Sequence, residues 1–244
     1  MVKLICGKNS VLDAIENRMN VKVIYLIKEP TFRTHNIKIE IVSKEEMDNM
    51  TSINHQGFIA VLNDFKYHNI ESVFEDQAEI VLILDHLQDP QNLGSILRTA
   101  NASGIYHIII PNARSTDINS TVLKVASGGI VGLKIIKVSS IHATILKLKK
   151  QQFWIYSTSL DEQSITYEKA NYNFPLAIII GNEDKGISKS LLKETDQNIY
   201  ISMEGTVQSL NVSVATGIIL FYLKNIKEKN GSNIKNSRND VQGK

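Results

Sequence analysis

"IVLILDHLQDPQNLGSILRTANASGIYHIIIP", residues Ile80 to Pro111, decides how this chain is read. Its opening residues, Ile80 to Leu84, are apolar without a break, the pattern of a strand buried on both faces of a parallel sheet. A polar loop follows. Leu93, Ile96, Leu97 and Ala100 then recur at i, i+3, i+4 and i+7, which is one face of a helix. Gly104 stands where such a helix stops, and "IYHIIIP" is a second apolar strand. Strand, helix and strand in that order make a parallel βαβ unit.

The same alternation runs on to Lys224. "STVLKVASGG" is helical, "LKIIKV" extended, "HATILKLKKQ" helical and "FWIYSTS" extended. "LAIIIG", the helix "SKSLLKE" and the strand "NIYISM" precede a last helix, "SLNVSVATGIILFY", Ser209 to Tyr222. Ligands in open parallel sheets bind at the carboxyl ends of strands. Here those loops are "DHLQDPQNLGS", "GNEDKGIS" and "MEGTVQSLN", each polar and each following an apolar strand.

Upstream, residues 1–62 read as a small α/β unit. "NSVLDAIEN" is an amphipathic helix with Ser10 and Asp13 at capping-box spacing, and Ser43 with Glu46 caps "KEEMDNM". "VKVIYLI", "IKIEIV" and "QGFIAVL" are strands. Residues 63–79 are polar with scattered aromatics and read as a connector. Residues 225–244 offer almost nothing to bury and read as a disordered tail.

Composition bounds the class. At 244 residues with 43% apolar and 21% charged residues, the chain is an ordinary globular protein with room for a core. No apolar run reaches the roughly 18 residues of a membrane span, and "MVKLICGKNS" lacks a signal peptide's apolar core. Cys6 has no second cysteine to pair with, so a cytoplasmic setting is the simplest. The net charge is only +2, but Lys224 to Lys244 carry six basic and two acidic residues. That end is either a solvated tail or an attractor of phosphates.

Several chemistries fail on their motifs. Gly181 and Gly186 have P-loop spacing, yet Ile187 stands where the phosphate-binding Lys belongs. No G-x-G-x-x-G follows the early strands, no G-x-S-x-G is present, and the six histidines form no H-x-x-x-H or Cys/His cluster. No metal site is expected.

Three stretches together carry a resemblance: "LDHLQDPQNLGSILRTANASGIYHIIIP", "LAIIIGNEDKGIS" and "ISMEGTVQSLNVSVATGIILF". In order and spacing they resemble the three motifs of the SpoU family of RNA ribose 2′-O-methyltransferases, in the SPOUT class of knotted enzymes. "GKNSVLDAI" and "NHQGFIAVL" are similar to that family's RNA-binding domain, which has the fold of ribosomal protein L30e. The resemblance implies an α/β fold: an L30e-like domain over 1–62, then a parallel-sheet catalytic domain over 80–224 with a deep C-terminal trefoil knot. It implies S-adenosylmethionine as methyl donor, RNA as substrate and a homodimer. The closest pattern is that of enzymes acting on a guanosine of 23S ribosomal RNA, with transfer RNA as the alternative. A third possibility is an RNA-binding ribosome-assembly protein that has lost turnover.

Carried over residue by residue, the resemblance places the donor on Gly181, Ile201 and Leu210, and the reaction on Asn92, Arg98, Glu183, Ser209 and Asn211. Each has a plainer reading. Ile201 and Leu210 fit a core, Gly181 an ordinary strand-to-loop turn, and Arg98 a solvated surface charge. Glu183, Asn92, Ser209 and Asn211 could cap helices. Two departures from the family pattern, Ser202 for Pro and Gln91 for His, fall in the loops. The apolar last helix needs cover on most of its circumference, from a dimer partner or from its own chain.

Overall fold

The computed structural model describes residues 3–32, 34, 36–63, 65–182 and 185–239, the last ten as backbone alone. The chain opens with β1 (Lys3–Cys6), α1 (Lys8–Glu16), β2 (Val21–Leu26), β3 (Lys38–Ile41), α2 (Lys44–Met50) and β4 (Phe58–Leu62). These strands form one sheet in the order β1-β4-β2-β3, with β4 antiparallel to both β1 and β2. Helix α2 starts as its sequence requires: Glu46 N–H donates to Ser43 Oγ, and Ser43 N–H donates to Glu46 Oε2 at 2.7 Å. Helix α1 does not. It begins at Lys8, two residues before the expected cap, so Ser10 lies inside its first turn. The free Lys8 N–H is taken by Gln56 Oε1 from a distant loop, 3.2 Å away. A tertiary partner has replaced the local one.

Next come α3 (Glu71–Glu75), β5 (Ile80–Leu84), α4 (Pro90–Ser103), β6 (His107–Pro111), α5 (Ser120–Ala126), β7 (Lys134–Val138), α6 (Ile141–Lys150) and β8 (Trp154–Thr158). The chain closes with β9 (Ile165–Thr166), β10 (Leu176–Ile180), α7 (Lys189–Leu192), β11 (Gln197–Tyr200) and α8 (Val212–Asn239). The second sheet runs β7-β6-β5-β10-β8-β11-β9, and every pairing in it is parallel. The unbroken apolar strands now have their reason. Ile80, Leu82 and Leu84 point to one face, against α4, α5 and α8, while Val81 and Ile83 point to the other, against α6 and α7. Strand β10 alternates likewise. Burying each such side chain stabilises the fold by roughly 1.5–3 kcal/mol.

The two sheets share a core. Ile5, Val11, Ala14 and Ile24 of the first unit belong to the same apolar cluster as Leu82, Leu93 and Val122 of the second. The expected connector is more than a tether: it carries α3, His68 bridges to Ile136 of β7, and Tyr67 Oη donates to Asp117 ahead of α5. Within the described residues the backbone of 225–239 continues α8, and no proline interrupts it.

Helix α4 stops as read, at left-handed Gly104, but it starts earlier than its apolar stripe and Asn92 suggest: Asp89 is the cap, accepting from Gln91 N–H, and Pro90 opens the first turn. Helix α8 lies against α4 with Val212, Thr216, Ile219, Leu220 and Leu223 buried. Its opposite stripe stays open: Val214 is 50% and Phe221 42% exposed. Burial within the chain is therefore partial, and the greasy helix keeps an uncovered side.

Candidate active site

The loops leaving β5, β10 and β11 meet at the carboxyl edge of the second sheet. The first loop is the hub. Asp85, 2% exposed, accepts at Oδ2 from the N–H of Ser188 in the second loop, 3.0 Å away. Its other oxygen contacts His86 Nδ1. Asn182 Nδ2 donates to the His86 carbonyl at 2.9 Å. The third loop joins through its last residue: Asn211 Nδ2 donates to Asn92 Oδ1 on α4 at 3.0 Å.

Asn211 has a second task. Its Oδ1 accepts from the N–H of Ser213 at 2.9 Å, so it caps α8 while reaching α4. The capping expected of Ser209 as well does not occur; among the described residues its side chain makes no hydrogen bond, and it is exposed. Ile201 and Leu210 stand at the two ends of the third loop, each half-buried, while Glu204 to Ser209 between them are exposed. Ile201 packs on the main core, as the plainer reading held; Leu210 does not join that cluster.

Gly181 is buried at the end of β10, and a Cβ there would lie 2.6 Å from the carbonyl carbon of Gly186 and 2.8 Å from Ile187. The atoms that forbid a side chain therefore belong to its own loop. That loop turns back on itself, with Asn182 and Gly186 exchanging backbone hydrogen bonds at 3.1 and 2.9 Å. Glu183 lies outside the described residues.

Arg98 is exposed and is not brought to the asparagine pair. Six residues beyond Asn92, at roughly 100° per residue, it lies about 240° further round α4, so the two side chains leave the helix about 120° apart. Its flank faces the end of α5: a Cβ on Gly129 would come within 2.7 Å of Arg98 Cα. Of the expected residues, then, Asn92 and Asn211 touch, Gly181 shapes the middle loop, and Arg98 opens on another side of the same helix. Asp85 escaped the sequence reading. Its signal was there, an acidic residue immediately after an unbroken apolar strand.

Two family models match the chain. Residues 79–221 match the SpoU rRNA methylase family. The chain belongs to the SpoU methylase family. Residues 4–68 match the family's RNA 2′-O-ribose methyltransferase substrate-binding domain. A Staphylococcus haemolyticus protein assigned to the TrmH family of tRNA/rRNA methyltransferases is 31% identical over 94% of this chain and 98% of its own. A Bacillus subtilis protein with the same family assignment is 29% identical over 89% and 93%. Solved structures share the fold. The SpoU methyltransferase AviRb of Streptomyces viridochromogenes superposes with a TM-score of 0.79 at 18% identity, covering 94% of this chain and 91% of that one. The AdoMet-bound rRNA methyltransferase of Sinorhizobium meliloti gives 0.76 at 24%, covering 90% and 85%. Family membership joins the two sheets into one expected device: a substrate-binding unit ahead of a methylase unit.

Proposed function

We propose that this chain, an RNA 2′-O-ribose methyltransferase of the SpoU family, methylates a guanosine of 23S ribosomal RNA with S-adenosylmethionine as donor. The observation that carries the reading is the Asn211–Asn92 hydrogen bond, which draws the first and third motif loops to one edge of the sheet. The presence of Arg98, Glu183, Ser209 and Asn211 in one sequence also speaks against a pure RNA binder, which needs no such set.

The donor's proposed place is among Gly181, Ile201 and Leu210. The folded-back second loop offers a tight backbone wall, and the half-buried pair offers apolar contact at either end of a polar loop. When bound, the donor supplies a methyl group on a positively charged sulfonium, a good leaving group. The chain's remaining work is to orient the ribose and to manage the 2′-hydroxyl proton. Orientation is worth about 7–11 kcal/mol, against roughly a hundred- to ten-thousandfold in rate for a general base. Arg98 serves the first need. Its planar fork grips the target phosphate and steadies negative charge on the 2′-oxygen, since a guanidinium hardly deprotonates. Asn211 and Ser209 face the ribose, and Glu183 orders Arg98.

In this reading residues 1–62 bind RNA, 63–79 connect, and 80–224 form the methylase unit, with a trefoil knot in its C-terminal part. The enzyme works as a homodimer in the cytoplasm, where a free Cys6 survives reduced. Exposed Val214 and Phe221 on α8, with half-buried Ile218 between them at i, i+4 and i+7 spacing, support the seam.

The test is transfer of labelled methyl from donor to RNA by purified protein, with 2′-O-methyl sites mapped in ribosomal and transfer RNA from cells lacking it. A lost 23S guanosine modification supports the proposal. A lost transfer-RNA site redirects the target, and no transfer with any RNA ends the enzyme reading.

A further inference from the structure

Arg98 does not open onto bare solvent. It lines a polar cleft of about 450 Å³ between the two sheets' units, within the roughly 300–1,000 Å³ of small-molecule sites. The opposite wall comes from the first unit, with Asn9 and Asp13 of α1 and Asn54 and Gln56 of the loop before β4.

The cleft is held by close packing. Gly128 and Gly129 are part of its lining. A Cβ on Gly128 would fall 2.2 Å from Ser10 Oγ, and one on Gly129 would fall 2.7 Å from Arg98 Cα. The double glycine thus lets α1 and α4 approach the same turn from opposite sides. Further contact between the units comes from Lys124 Nζ, which donates to Ser52 Oγ at 3.2 Å.

The two walls differ in chemistry. One side offers the guanidinium of Arg98, suited to a phosphate. The other offers neutral carboxamides beside the Asp13 carboxylate, which repels a phosphate but tolerates an uncharged base. A carboxamide carries a donor and an acceptor side by side, the pattern needed to read a base edge. Among the described residues Asn9's side chain has no hydrogen-bond partner. Asn54 uses only its Oδ1, which accepts from Gln56 N–H at 3.3 Å. Both amino groups are therefore available.

We infer that this cleft seats the nucleotide next to the methylated ribose, its phosphate on Arg98 and its base edge on Asn9 and Asn54. The inference rests on the methyltransferase reading above. It makes the first unit a reader of sequence at the reaction site, with Asn9 and Asn54 as specificity-determining residues.

The experiment uses the full chain and its mapped RNA target, with the bases flanking the methylated position swapped one at a time. Wild-type protein is expected to prefer the natural neighbour by about tenfold or more in kcat/KM. Asn9→Ala with Asn54→Ala should abolish that preference while leaving the affinity for S-adenosylhomocysteine and the melting temperature unchanged. Asn9→Asp, which replaces the donor group without changing shape, should shift the preferred neighbour, and it guards against a folding defect in the double variant. If wild type methylates RNA yet both variants keep its ranking of neighbours, the inference alone is overturned. If wild type methylates no RNA, the inference falls together with the function it rests on.

Discussion

Asn211 at the mouth of α8 hydrogen-bonds Asn92 on α4 across 3.0 Å, and the same side chain caps α8 through Ser213 N–H. One carboxamide thus fixes where a helix begins and where two sequence motifs 119 residues apart meet. Asn211→Ala should cost about 1 kcal/mol of stability for the lost cap and lower methyl transfer tenfold or more. Asn92→Ala should cost less stability and a similar share of activity. A double-mutant cycle by denaturation should give a coupling of about 0.5–1.5 kcal/mol; additive losses would mean the bond does not hold in solution.

Arg98→Lys keeps the charge but loses the planar fork. The expected result is a single-turnover rate about a hundredfold lower or worse, in the range of lost transition-state donors, with donor affinity unchanged. Near-normal turnover would show that charge alone suffices and that orientation is not the residue's task.

Gly181→Ala places a methyl group against the backbone of Gly186 and Ile187, which have no flexible end to move aside. The second loop must shift, at about 1–3 kcal/mol by analogy with overpacked cores. Calorimetry with S-adenosylhomocysteine should record at least tenfold weaker binding. Retained affinity would remove this loop from the donor site.

Val214→Glu and Phe221→Glu alter side chains that are 50% and 42% exposed, so each variant should melt close to wild type. At a dimer seam, however, a buried unpaired charge is severely unfavourable. Sedimentation should show the wild type as a dimer and both variants as monomers. An unchanged dimer would place the seam elsewhere.

Away from the site, His107 is buried with its Nε2 2.9 Å from Asp76 Oδ2, and Lys134 also pairs with Asp76. Burial first, then the Lys134 ammonium, hold its pKa below the ordinary histidine value despite the pull of Asp76. His68 is lowered too, by burial and by Lys134, Lys66 and His107. Both imidazoles thus bind protons more readily in the unfolded chain. Their stabilisation is complete above the ordinary histidine pKa and is lost as pH falls through it toward the folded values. Asp76 is lowered chiefly by Lys134 and adds a loss of the same sign at more acid pH. Denaturation at pH 7.5 and pH 5 should therefore show a smaller difference for His107→Gln than for wild type, with His68 supplying the remainder. An equal difference would clear His107 of the effect.

The strands of the second sheet, the α4 stripe of Leu93, Ile96, Leu97 and Ala100, and the cap Ser43 were written in local sequence. Each depends on neighbours within a turn or on alternation along a strand, and burial on both faces leaves no choice but apolar runs. What local pattern could not supply was any partner far away in the chain. The start of α1 is fixed by Gln56, Asp85 gains meaning only when Ser188 comes beside it, and Asn92 meets Asn211 only because α8 packs on α4. Likewise, Arg98 was legible as a charge off the core face, but the wall it faces belongs to the other sheet. Short-range periodicity records burial, whereas hydrogen-bond partners and clefts depend on how distant segments pack, and only the folded chain specifies that.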